Sequence, residues 1–268
     1  MARIGTALGA IGYEERGSGD RAPLVFLHGV GSDKSAWSPQ LAHFGEHRRT
    51  LALDYPGYGE SDPAVQSVAA PHDRFAAAIL AALDALEVEH LNLCGLSLGG
   101  VVAIAIAHAA PDRLASLTLA DSFAVHPDGP AILARSRAAS DDMTAMATAR
   151  VPALLADPES PLLPDLVAVM ARIDPAAFRL GAAAVWPADQ RVRAAAIACP
   201  TLILCGTDDR VTPPALSEDL ARLIPKARLE LIANAGHLPN LEQPAAFKAA
   251  LDRFLSETDL LRVSLPRA

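Results

Sequence analysis

Ser97 stands in Gly95-Leu96-Ser97-Leu98-Gly99-Gly100, after the apolar run Leu91–Cys94 and before a helix-compatible run that starts at Leu98. A serine on a sharp strand-to-helix turn projects its hydroxyl above a sheet, and small residues two positions to either side let the chain turn that tightly. The chemistry this predicts is nucleophilic attack on a carbonyl. A serine hydroxyl is a poor nucleophile until a base takes its proton, so a histidine must reach it. The chain has eight, at 28, 43, 47, 72, 90, 108, 126 and 237. His237, in Asn234-Ala235-Gly236-His237, follows the last predicted strand and is the expected base. His43, His47, His72, His90 and His108 fall on helices or their borders and read as surface or packing residues. His126 is a rival.

The base needs a carboxylate to fix its tautomer and stabilise the imidazolium. Thr201–Cys205 reads as a strand and runs into Gly206-Thr207-Asp208-Asp209-Arg210-Val211-Thr212-Pro213. Asp208 and Asp209 are both candidates, and Asp121, at the end of the preceding predicted strand, is a third. Attack on a carbonyl also requires donors for the developing oxyanion. Leu98 N–H, at the start of the helix after the serine, supplies one, aided by the helix dipole. The second is expected from His28-Gly29-Val30-Gly31, with Val30 N–H as the choice.

The elements that must position these groups alternate along the chain. Short apolar runs at Leu24–Leu27, Leu51–Leu53, Leu91–Cys94, Leu117–Ala120, Thr201–Cys205 and Arg228–Ile232 read as strands buried on both faces. Helical spacing recurs over Asp73–Leu86, Leu98–His108, Pro214–Leu223 and Pro244–Leu255. Such alternation predicts a mostly parallel, doubly wound α/β sheet. From 122 to 198 no strand is expected. Prolines recur there, between helix-compatible runs such as Ile132–Arg150 and Leu166–Ile173. The stretch reads as a helical cap inserted between two parts of a core, 1–121 and 199–268.

Composition narrows the partners. The 268 residues carry 31 acidic and 23 basic side chains, a net charge of −8, with no basic run suited to a polyanion. Nucleic acid is therefore not expected as a partner. Fifty-five alanines, about a fifth of the chain, raise helix propensity. Cys94, Cys199 and Cys205 cannot all pair, and no Cys/His spacing suggests a metal site. The longest apolar stretch, Val101–Ala107, is too short for a bilayer, and no long apolar run precedes Glu14. A cytoplasmic protein with no membrane partner, metal or cofactor is the expectation.

Several segments together resemble the α/β-hydrolase superfamily: Pro23-Leu24-Val25-Phe26-Leu27-His28-Gly29, Asp54-Tyr55-Pro56-Gly57-Tyr58-Gly59-Glu60-Ser61-Asp62, the turn around Ser97, Gly206–Pro213 and Gly236-His237. The resemblance implies the order Ser97, Asp209, His237 for a catalytic triad, the acid falling three residues after the strand-end glycine. It gives the Asp54–Gly59 turn no chemistry. The run Gly236–Pro244, with Ala188-Asp189-Gln190-Arg191, is similar to 3-oxoadipate enol-lactonases and related small-ester hydrolases. That implies a small-molecule ester or lactone as substrate, one that carries a carboxylate if a cap arginine (135, 137, 150, 172 or 179) holds it. Trp186 with Met143 or Met146 is expected to line an apolar pocket. Serine at the turn, where haloalkane dehalogenases and epoxide hydrolases carry aspartate, argues against both. Carbon–carbon bond hydrolysis of a ring-cleavage diketone by the same residues is the rival activity. A slow-turnover ligand receptor on the same fold is the rival of another class.

Overall fold

The computed structural model describes residues 2–65 and 67–263, with side chains through residue 260. Eight strands form one sheet in the order β1-β2-β4-β3-β5-β6-β7-β8. They are β1 (Ala2–Ile4), β2 (Ile11–Arg16), β3 (Leu24–Leu27), β4 (Thr50–Leu53), β5 (Leu91–Leu96), β6 (Leu114–Ala120), β7 (Thr201–Gly206) and β8 (Ala227–Ile232). From β4 onward all pairings toward β8 are parallel, whereas β1 pairs with β2 and β2 with β4 antiparallel. The mostly parallel α/β sheet expected from the alternating pattern is present.

The six apolar runs read as strands are all strands, but β8 is largely half-exposed where burial on both faces was expected, and the two strands not expected are β1 and β2. Their polarity explains the omission: β1 is three residues long, and β2 runs out through Glu14-Glu15-Arg16 toward solvent. In contrast, every residue of β3 to β7 is buried, so both faces need cover. The helices α1 (Ser38–Phe44), α2 (Pro71–Ala85) and α3 (Leu98–Ala109) follow β3, β4 and β5 in turn. Between β6 and β7 come α4 (Gly129–Ala139), α5 (Met143–Arg150), α6 (Leu163–Ala171), α7 (Pro175–Val185) and α8 (Arg191–Ala195). The chain closes with α9 (Pro214–Leu223), α10 (Pro239–Glu242) and α11 (Pro244–Val263). α1 packs on α11, α2 packs on α3, and α3 lies on β3, β5 and β6.

The 122–198 stretch contains no strand, only the isolated bridge Val125–Asp189. The run Ile132–Arg150, expected as continuous helix, is two helices. Ser140 closes the first by donating to Arg137 O, and the Asp142 carboxylate restarts the chain by accepting from Ala145 N–H at 2.9 Å. α7 docks this segment on α2 and α3. Buried Gln190 fastens its exit, donating its N–H to Ala124 O at 2.7 Å. Among the described residues no helix is long and apolar enough to cross a membrane.

Candidate active site

Ser97 sits between the end of β5 and the first residue of α3, with φ 55° and ψ −112°. That region is sparsely populated for an L-residue and costs of order 1–3 kcal/mol. Its surroundings hold it there. Ser97 N–H donates to Ala120 O at 2.9 Å, and Ser97 O accepts from Gly100 N–H and from Ser122 Oγ, each at 2.9 Å. A methyl group on Gly95 would run into the carbonyl of Gly99, and one on Gly99 into the carbonyl of Leu27. Small side chains flanking the serine are thus a packing necessity.

His237 and Asp209 come from the loops after β8 and β7. His237 Nδ1 lies 2.9 Å from Asp209 Oδ2. The same carboxylate accepts from Thr212 Oγ1 at 2.6 Å, and its Oδ1 accepts from Val211 N–H at 2.7 Å and Thr212 N–H at 3.0 Å. Burial alone would raise the Asp209 pKa, but the charge of His237 and these donated hydrogen bonds hold the carboxyl far below the usual range. Of the two rival acids, Asp208 is exposed and, among the described residues, accepts from Thr207 Oγ1 alone. Asp121 is fully buried beside the pair: one of its oxygens, one of Asp209 and a ring nitrogen of His237 lie within 4.8 Å of one another. Both Asp209 oxygens already take N–H and O–H donors, so this trio fits a hydrogen-bonded acid–base unit better than a cation site.

With Nδ1 turned to Asp209, His237 has Nε2 on its other side, and His237 and Ser97 line the same cavity. Ser97 Oγ donates no hydrogen bond to it among the described residues; such contacts are commonly loose without substrate. The cavity encloses about 510 Å³, part of it open to solvent, and is mostly apolar, with Leu154, Leu166, Met170 and Leu241 on its walls. Val30 also lines it. Leu98 begins α3, so its N–H has no acceptor within the helix. Among the described residues neither Val30 nor Leu98 N–H donates to a loop carbonyl.

Other expectations are resolved by position. Trp186, Met143 and Met146 do not line this cavity: Trp186 is buried against Phe123, His126 and Arg150. The methionines are buried in α5, whose inner face packs against α6. Of the five arginines, 135, 137 and 172 are exposed, and Arg179 is taken by Ser140 Oγ and Asp141. Arg150 alone of the five lines the cavity. His126 is engaged on both nitrogens, by Val211 O and Asp128 N–H. Asp54 is bound by Lys34 N–H and Nζ, both at 2.8 Å, and by Glu60 N–H, which fits a purely structural turn. Cys94 and Cys205 are buried free thiols, and burial pushes both upward in pKa; Cys199 is half-buried and free.

Residue patterns missed three supports. Thr212 bonds Asp209 and lies 3.2 Å from His237 Nδ1. Ser122 braces the turn at Ser97. Glu242 accepts from Gly236 N–H at 2.9 Å and Leu238 N–H at 3.1 Å, on either side of His237. Thr212, three residues after Asp209, and Glu242, five after His237, were the local signals, whereas Ser122, 25 residues from Ser97, depends on long-range packing.

A family model described as the alpha/beta hydrolase family matches residues 24–250, and the chain belongs to that family. Within it, the chain is 28% identical to 3-oxoadipate enol-lactonase 2 of Acinetobacter baylyi, over 91% of this chain and 92% of the relative. It is 29% identical to 2-hydroxymuconate semialdehyde hydrolase of a Pseudomonas species, over 92% and 91%. Among solved structures, the enol-lactonase of Burkholderia xenovorans superposes with a TM-score of 0.86 at 27% identity, covering 95% of this chain and all of that one.

Proposed function

We propose that this hydrolase cleaves a small carboxylic ester or lactone through an acyl-enzyme on Ser97. The observation that carries the reading is the His237–Asp209 hydrogen bond, which leaves Nε2 for the cavity that Ser97 shares. Ser97 Oγ attacks the carbonyl carbon as His237 Nε2 takes its proton. The imidazolium is stabilised by Asp209. Val30 and Leu98 N–H groups receive the tetrahedral oxyanion. Collapse breaks the acyl–oxygen bond, and His237 returns the proton to the leaving oxygen. With a lactone that oxygen stays tethered to the acyl chain. Water, deprotonated by His237, then attacks the acyl-enzyme and frees Ser97.

The helices between β6 and β7 act in this reading as the cap, and Arg150 on α5 selects a substrate that bears a carboxylate. Arg150 lines the cavity, its Nε is buried without a hydrogen-bond partner, and no acidic side chain pairs with it among the described residues. The enol-lactonase relatives support the lactone class. A second reading, carbon–carbon bond hydrolysis of a ring-cleavage diketone by the same residues, is favoured by the 2-hydroxymuconate semialdehyde hydrolase relative.

A panel of lactones, short esters and ring-cleavage diketones separates the two. Ser97→Ala is expected to cut the preferred activity by ~10⁴–10⁶-fold with the fold intact. Turnover that survives this substitution would rule out the acyl-enzyme.

A further inference from the structure

Asp121 is a buried carboxyl that the mechanism above does not use. It follows β6 directly, in a left-handed conformation, φ 44°, with its N–H held by Leu204 O at 2.9 Å. Oδ1 accepts from Gly206 N–H at 2.9 Å, while Oδ2 is buried with no donor directed at it. Asp209, within 4.8 Å, accepts instead from His237, Thr212 Oγ1 and two backbone N–H groups.

Two carboxylates this close and this dry cannot both carry charge cheaply. The donor count decides which one does: four hydrogen bonds stabilise a negative Asp209, and one stabilises Asp121. An Asp121 that keeps its proton turns its unsatisfied Oδ2 into an O–H donor, with Asp209 as the neighbouring acceptor. Charged and titratable neighbours of Asp121 are Asp209, His237 and the Cys205 thiol. Burial, then the nearby Asp209 charge, drives its pKa well above the usual carboxylate range, in keeping with that assignment.

We infer that the acid facing His237 is a two-carboxyl unit, Asp121 and Asp209, that holds one proton and one negative charge between them. Asp121 is a positioning residue in this unit: protonated, it braces Asp209 from behind. If the Asp209 charge is removed, the proton leaves Asp121 and the charge passes to it, within reach of the same imidazole. The catalytic half of this inference rests on the proposed hydrolase mechanism; the proton on Asp121 does not.

Infrared difference spectra of native protein against Asp121→Asn, at neutral pH, test the proton directly. A carbonyl stretch of a protonated carboxylic acid, present in native protein and lost in the variant, is expected. Its absence from native protein would overturn the inference. Kinetics with an activated ester test the sharing. Loss of the triad carboxylate ordinarily costs ~10⁴-fold in kcat. Here Asp209→Ala is expected to lose only ~10–10²-fold, and Asp209→Ala with Asp121→Asn the full ~10⁴-fold. Equal cost of Asp121→Asn in the native and Asp209→Ala backgrounds would overturn it. Asp209→Asn serves the same comparison if the alanine variant does not fold. Turnover surviving Ser97→Ala would instead refute the hydrolase mechanism and leave the infrared result standing.

Discussion

Glu242 Oε2 accepts a hydrogen bond from Ala156 N–H at 2.7 Å, joining the segment between β6 and β7 to the loop that carries His237. Its other oxygen takes the N–H groups of Gly236 and Leu238, and His237 N–H donates to Leu154 O at 2.7 Å. His237 is therefore held by the segment between β6 and β7 as well as by its own loop. Glu242→Ala strands three part-buried N–H groups, each costing about 1–3 kcal/mol where water cannot replace the partner. A stability loss of about 2 kcal/mol or more is expected in urea denaturation. A ~10²-fold fall in kcat is expected with it, since misplacing a catalytic group by an ångström costs that much. Lost stability with unchanged kcat would show that this tether does not position His237.

Arg150 links specificity to stability. Arg150 is half-buried with its Nε unpartnered and no acidic partner among the described residues, and burial lowers its pKa. Its aromatic support is the Trp186 ring, 5.7 Å from Cζ. Replacing a half-buried charge that lacks an anionic partner with an apolar side chain of similar length removes part of the burial cost. Arg150→Met is therefore expected to raise the urea midpoint. It is also expected to lower kcat/KM for a carboxylate-bearing ester by ~10–10²-fold, about the worth of one charge-assisted hydrogen bond. A neutral ester of the same size should change by less than about threefold. Equal losses on both esters would show that Arg150 shapes the cavity and does not read charge.

Asp121 and Asp209 should pull stability in opposite directions with pH. The folded-state pKa of Asp209 is depressed, so its contribution is present above the unfolded value, about 3.9, and is lost as pH falls toward the folded one. Asp121 is raised, so the folded state binds the extra proton and stability falls as pH climbs from about 4 toward its folded pKa. Asn at 121 keeps an acceptor for Gly206 N–H, offers a donor toward Asp209 and does not titrate. The stability of Asp121→Asn relative to native protein is expected to improve steadily as pH rises above about 4. Urea denaturation between pH 4 and 8 checks this. A difference independent of pH would mean Asp121 titrates alike in both states.

What the sequence made legible follows from how local each determinant is. The turn at Ser97 is written in adjacent residues, because the glycines that relieve contact with Leu27 and Gly99 are themselves the neighbours. β3 to β7 announce themselves because burial on both faces demands nearly unbroken apolar runs. β2 does not, since its outer half faces solvent and its pairing with β4 is set by distant chain. The choice among Asp121, Asp208 and Asp209 was equally hidden from strand spacing. It depends on which carboxyl collects the donors of Val211, Thr212 and His237, two of which only the folded loop after β7 brings round. Cavity walls were the least legible. Trp186 and Arg150 are both plausible lining residues by type, and only packing turns one inward to Phe123 and the other to the cavity.

The strain at Ser97 should be measurable as stability. Its φ of 55° with ψ −112° lies where glycine is at ease and other residues are not. The hydroxyl contributes nothing to offset this, because Ser97 Oγ makes no hydrogen bond among the described residues, while the backbone bonds to Ala120, Gly100 and Ser122 need no side chain. Ser97→Gly is thus expected to gain about 1 kcal/mol in urea denaturation, the released strain less the added chain entropy of glycine. Ser97→Ala retains the Cβ and the strain, so it should stay within about 0.5 kcal/mol of native protein. Both should lose hydrolysis equally. A glycine variant no more stable than the alanine variant would mean that the turn is relaxed as built, and that its geometry costs the fold nothing.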